Sequence, residues 1–115
     1  MTILYGIKNC DTVKEARKWL DKNEISYKFH DFTDDGVPDE ELDKWVKSIG
    51  WETLLNRRST TWRKLPDHQK VNLDAEKAKD IMQQQPSIIK RPVIDHAEKC
   101  HAGFSDAFYK HLFQL

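Results

Sequence analysis

The chain opens on a short run of β-branched and aromatic residues, Thr2 to Tyr5, which predicts a first strand. Gly6 to Asn9 reads as a loop. A helix is predicted from near Cys10 or Asp11, because Val13, Ala16 and Leu20 recur at i, i+3 and i+7 and so share one face. Asn23 ends it. From Ile25 to Phe32 the period changes: Ile25, Tyr27 and Phe29 alternate with Ser26, Lys28 and His30, the pattern of a half-buried strand. This opening segment therefore predicts a βαβ unit, with a parallel strand pair and a right-handed crossover.

Asp34-Asp35-Gly36 predicts a turn. Pro38 is expected at the first position of the next helix, with Asp39, Glu40 and Glu41 at its positive end. Leu42, Trp45, Val46 and Ile49 form its apolar face, and Gly50 closes it. Trp51 to Lys64 is basic and polar and predicts one or two brief helices. Asn72 is the expected cap of a further helix carrying Ala75, Ala78, Ile81 and Met82, and Pro86 prevents its continuing. Ser87 to Asp95 reads as a buried strand interrupted by Pro92, which cannot donate to a sheet ladder. His96 to His101 turns into a short strand broken by Gly103. Ser105 caps a last helix with Phe108, Leu112 and Phe113. The order βαβ, then helices, then ββα predicts an α/β, thioredoxin-like fold. One domain spans residues 1–115, with an inserted helical subdomain over about residues 37–85.

Composition narrows the function classes. A chain of 115 residues supports one core. Lysine plus arginine equals aspartate plus glutamate, 19 each, which argues against a broad electrostatic footprint for direct nucleic-acid or membrane binding but leaves room for a local basic pocket. No apolar run approaches the roughly 20 residues of a membrane span. The N-terminal residues lack the basic and apolar regions of a secretory signal. The expected location is cytoplasmic, where thiols stay reduced, so Cys10 and Cys100 are not expected to form a permanent disulfide. A monomer is expected.

Cys10 is the sharpest chemical feature. It falls between the first strand and the first helix, where backbone N–H groups and the helix dipole favour a thiolate, the nucleophilic form of cysteine. Lys8 and Lys14 add positive charge nearby, and Asp11 opposes it. Position alone equally fits a small, buried, inert cysteine. Val13 stands where a Cys-x-x-Cys would have its second cysteine. Either a small thiol such as glutathione resolves the reaction, or Cys100 does; Cys100 also reads as inert. Arg57, Arg58 and Arg63 form a basic cluster, and Arg91 precedes Pro92. The planar guanidinium binds oxyanions bidentately, although a solvated charged face has the same composition. The five histidines show no metal-ligand spacing with the cysteines and read as surface residues, and no metal is expected. Trp19, Trp45, Trp51 and Trp62 read as packing residues.

The segment Tyr5-Gly6-Ile7-Lys8-Asn9-Cys10-Asp11-Thr12-Val13-Lys14 closely resembles the N-terminal signature of the YffB-like branch of the arsenate reductase (glutaredoxin-coupled)/Spx family. Leu54 to Ser59 resembles that family's middle arginine segment, Ile89 to Ile94 its arginine and cis-proline segment, and Ala102-Gly103-Phe104 its last-strand ending. The resemblance implies a thioredoxin-like fold with a helical insertion and a single nucleophilic cysteine at Cys10. It implies anion-binding arginines at Arg58, or its neighbour Arg57, and at Arg91. It also implies a cis Arg91–Pro92 bond facing Cys10. Lys14 stands where the arsenate reductases carry an arginine, and a third family arginine has no clear counterpart. Both departures favour the YffB-like branch, which looks like a glutathione-dependent thiol reductase. Glutathione is then the co-substrate, glutaredoxin a candidate partner, and no tightly bound cofactor is expected. The alternative implied by Arg58-Ser59 is an Spx-like regulator that binds RNA polymerase without catalysis.

Overall fold

The computed structural model describes all 115 residues. In chain order the elements are β1 (Thr2–Gly6), α1 (Asp11–Lys22), β2 (Lys28–Asp31), α2 (Phe32–Asp35), α3 (Asp39–Ser48), α4 (Trp51–Leu54), α5 (Thr60–Lys64), α6 (Ala75–Gln84), β3 (Val93–His96), β4 (Lys99–Ala102) and α7 (Asp106–Leu112). They form two units, residues 1–35 with 91–115, and residues 36–90. No helix is long and apolar enough to cross a membrane.

The first unit is built on a four-stranded sheet in the order β2-β1-β3-β4. β1 runs parallel to β2, pairing Ile3 with Lys28 through Gly6 with Asp31. It runs antiparallel to β3, pairing Thr2 with His96 through Tyr5 with Val93. β3 and β4 form an antiparallel hairpin. This is the thioredoxin-like arrangement that the element order predicts. Side chains of paired residues share a sheet face, so Phe29, Leu4 and Ile94 point together. With Ala16, Trp19 and Leu20 of α1 and Tyr109 of α7, Leu4 and Ile94 form the core, and Phe29 packs against it.

Trp19 fastens the two helices of this core. Its ring meets Tyr109 edge-on at 5.5 Å, and its Nε1–H donates to Asp106 Oδ1 at 2.7 Å. The indole donor first, and then Lys110, holds the Asp106 carboxyl below its usual range. The fold favours the ionised form, so the contribution to stability is full above the unfolded carboxylate pKa and is lost as pH falls through the folded one. Asp106→Ala is therefore expected to lower the urea midpoint at neutral pH. The gap to the wild type should narrow on acidification below about pH 4. A gap that widens in acid contradicts the assignment.

The second unit is helical. α3 buries Leu42 and Trp45, and α6 buries Ala78 and Met82. Leu54, Leu55, Trp62, Ile88 and Ile89 are also buried there. The Lys79 ammonium bonds Asp43 at 2.7 Å and Asp39 at 3.1 Å, tying α6 to α3.

Several boundaries differ from the sequence pattern, each for a local reason. β2 starts only at Lys28; Ile25 and Tyr27 pack against the core ahead of the ladder, after a turn in which Glu24 has φ 57°. Asp34 and Asp35 belong to α2 instead of a turn, because the Asp31 carboxylate accepts the Thr33 N–H at 2.8 Å and caps that helix. Pro38 is the residue before α3, not its first. Asp74, not Asn72, caps α6 by accepting the Lys77 N–H at 2.9 Å. The expected strand from Ser87 starts only at Val93, because Ile88 and Ile89 join the helical unit. There the Asn56 N–H donates to the Ile88 carbonyl, and Ile89 bridges Leu55. Three of the five histidines are half-buried instead of surface residues. His30, His96 and His101 lie 5.1, 4.4 and 3.7 Å from the rings of Tyr5, Phe113 and Phe108.

Candidate functional site

The site begins where β1 ends. Gly6 has no room for a side chain: a Cβ there would sit 2.8 Å from Val13 Cγ2. The first turn of α1 can therefore close against the end of the strand. Gly6→Ala is expected to cost about 1–3 kcal/mol through overpacking. Thermal unfolding checks this, and an unchanged midpoint would contradict the close packing.

Three residues of loop lead from Ile7 to Cys10, the N-cap of α1. Cys10 is extended, with φ −138° and ψ 124°, and its carbonyl accepts the Lys14 N–H at 2.9 Å. Its thiol makes no capping hydrogen bond, is half-buried, and is not in a disulfide. A helix start favours negative charge through its free N–H groups and its dipole. Lys14 sits one turn along and is exposed, and Asp11 occupies the first turn.

The Arg91–Pro92 bond is cis, as the family resemblance implies. Because Val93 pairs with Tyr5, Pro92 lies at the sheet end from which β1 passes into the Cys10 loop. Pro92 is buried and its carbonyl accepts the Gly103 N–H at 2.8 Å. The Gly103 carbonyl in turn accepts the Tyr109 hydroxyl at 3.5 Å. Arg91 is half-buried and its Nε is screened from solvent. The fold thus gathers Cys10, Lys14, Arg91 and Pro92 into the sheet-bearing unit.

Arg58 belongs to the helical unit. Its N–H donates to Asn56 Oδ1 at 3.1 Å, in the turn that leads to Ser59, and Ser59 caps α5 by accepting the Trp62 N–H. Its neighbour Arg57 places its guanidinium 5.9 Å from the Trp62 ring, and Lys70 approaches the same ring at 5.5 Å. Arg57 and Arg58 are both exposed.

Cys100 lies on β4, opposite Asp95, which pairs with Ile3. Strands are spaced by about 4.8 Å, so Cys100 is roughly 10 Å across the sheet from Ile3. Cys10 lies past the end of β1, beyond the loop of Ile7, Lys8 and Asn9. Alternation puts Cys100 on the face opposite Leu4 and Ile94. A disulfide needs Cα atoms within about 7 Å, so this fold keeps the two cysteines out of bridging reach.

One residue escaped the sequence reading. Asp31 is 5% exposed and buried among the strand ends. Its signal was present: the inward series Ile25, Tyr27, Phe29 continues to Asp31, an acid in an apolar register. Its Oδ1 accepts from Thr33 N–H and its Oδ2 from Lys8 N–H at 3.4 Å.

Fold and site together define a thioredoxin-like protein with a cysteine at the start of its first helix. Residues 5–112 match the ArsC family, and the chain belongs to that family. A solved YffB protein is 46% identical, with a TM-score of 0.95, over 97% of this chain and 98% of that one. An arsenate reductase (ArsC) related protein from Brucella melitensis is 47% identical, with a TM-score of 0.76, over 99% and 95% of the two chains. The global transcriptional regulator Spx of Listeria innocua is 24% identical over 92% of this chain and 82% of its own length.

Proposed function

We propose that the protein is a glutathione-dependent thiol reductase with Cys10 as its one nucleophile. The observation that carries this reading is the uncapped Cys10 thiol at the start of α1, in an ArsC-family chain whose second cysteine is out of bridging reach. The Cys10 thiolate attacks the glutathionyl sulfur of a mixed disulfide, R–S–S–G. The S–S bond breaks, R–S⁻ leaves and takes up a proton, and Cys10–S–S–G forms. A second glutathione thiolate attacks the glutathionyl sulfur, giving oxidised glutathione and the free Cys10 thiolate. Two glutathione thiols supply the electrons overall, one of them already in the mixed disulfide, so no metal or tightly bound cofactor is required. Arg91 and Lys14 supply positive charge for the carboxylates of the glutathionyl group, Pro92 shapes the backbone beside Arg91, and the family resemblance gives Arg58 the same anion-binding role. The protein acts as a cytoplasmic monomer, and glutaredoxin is its candidate partner.

Steady-state reduction of a glutathionylated small disulfide tests the reading. Arg91→Ala and Arg58→Ala are each expected to raise KM. The loss of one charge-assisted hydrogen bond, about 1.5–3 kcal/mol, corresponds to roughly 10–150-fold in kcat/KM. Both variants turning over like the wild type would remove the anion-binding role.

The Spx similarity supports a second reading, an RNA polymerase partner without catalysis. Val13 removes the local dithiol. A pull-down comparing wild type with Arg58→Ala separates the two: polymerase subunits captured only by the wild type favour the regulator, and none captured rejects it.

A further inference from the structure

We propose that Asp31 is a positioning residue for Cys10, latching the loop that presents the thiol. Asp31 is the one charged residue in the buried set, and it does not pair with a buried cation. It accepts backbone N–H groups from two directions. Oδ1 takes the Thr33 N–H at 2.8 Å and so starts α2. Oδ2 reaches back to the Lys8 N–H at 3.4 Å, in the loop two residues before Cys10. The register explains the reach. Asp31 is the Cα partner of Gly6, the last residue of β1, so its side chain stands where the chain leaves the sheet. A second contact runs alongside, from Lys8 Nζ to Asp34 Oδ2 at 3.4 Å, but it is exposed and screened.

The electrostatics agree with an ionised latch. Burial alone raises the Asp31 carboxyl. The N–H groups of Thr33, Lys8 and Asp34, with the Lys8 charge, outweigh burial and hold it below its usual range. A carboxylate that acted only as charge would disfavour a neighbouring thiolate. Its use is geometric: it fixes Lys8, and the backbone from Lys8 to Cys10 fixes the direction in which the thiol meets the N–H groups of α1. This inference rests on Cys10 being the reactive sulfur.

The two roles of Asp31 have opposite signs, which makes the test decisive. Asp31→Asn keeps an acceptor for Thr33, removes the charge, and turns an amide donor toward the Lys8 N–H. At neutral pH the rate of alkylation by iodoacetamide follows the thiolate fraction. The latch predicts that Asp31→Asn slows alkylation of Cys10 by at least roughly threefold, with Cys100 as the unchanged internal reference. A charge effect alone predicts faster alkylation. An unchanged or increased Cys10 rate in a folded variant overturns the proposal. If the variant does not fold, amide hydrogen exchange in the wild type decides. A protected Lys8 N–H beside a fast-exchanging Asn9 supports the latch, and a Lys8 amide that exchanges as fast as Asn9 overturns it. Neither readout involves glutathione, so a failure of the glutathione reading leaves this result standing.

Discussion

Cys10→Ser is expected to abolish turnover of glutathionylated disulfides while making the protein more stable. The loss follows from chemistry: a serine hydroxyl does not ionise near neutral pH and cannot form a disulfide. The gain follows from geometry. Cys10 occupies the N-cap of α1 in an extended conformation, yet its side chain accepts no hydrogen bond. Serine is among the preferred N-cap residues, and a filled cap contributes about 0.5–2 kcal/mol. Ser59 and Ser105 show it in this same chain, accepting the Trp62 and Phe108 N–H groups at the starts of α5 and α7. A helix whose start holds a sulfur where an oxygen would cap it has given up stability for reactivity. Denaturant unfolding beside the activity assay checks both halves. A serine variant that retains turnover, or one that is inactive and markedly less stable, contradicts the account.

Leu4→Ala is expected to produce a large loss of stability while leaving the site residues intact. Leu4 is fully buried on the central strand β1, between β2 and β3, under α1. Deleting its side chain removes about 2–5 kcal/mol through lost transfer energy and the cavity left behind. Each kcal/mol lowers Tm by roughly 4–8 °C for a domain near this size, so the variant should melt roughly 8–40 °C lower. A shift of only a few degrees would mean that the sheet and α1 collapse around the gap, and that the core is less tightly packed than its burial implies.

The sequence pattern was most informative where one period ran long enough to be read. The α1 face through Val13, Ala16 and Leu20 and the Ser105 cap lie where the pattern puts them. It was least informative where tertiary partners override a local run. Ile88 and Ile89 carry strand propensity, but they are bonded to Leu55 and its neighbours in the helical unit. The turn between β3 and β4 uses Ala97 and Glu98 at φ 49° and 65°, values that short-range signals assign to glycine or asparagine. Cys10 was legible because a strand, a loop and a helix converge on it. Asp31 continues the inward series of Ile25, Tyr27 and Phe29, but a lone acid at a strand end also looks like a solvated residue, and the register with Gly6 is what shows that it is enclosed.

The central claim, that Cys10 alone carries the exchange chemistry, is tested most directly by peptide mass spectrometry. The protein is treated with oxidised glutathione and mapped, then mapped again after reduced glutathione. The account predicts a glutathione adduct on the Cys10 peptide, an unmodified Cys100 peptide, and complete release of the adduct by reduced glutathione. An adduct confined to Cys100, a Cys10–Cys100 disulfide, or no adduct at all would contradict it.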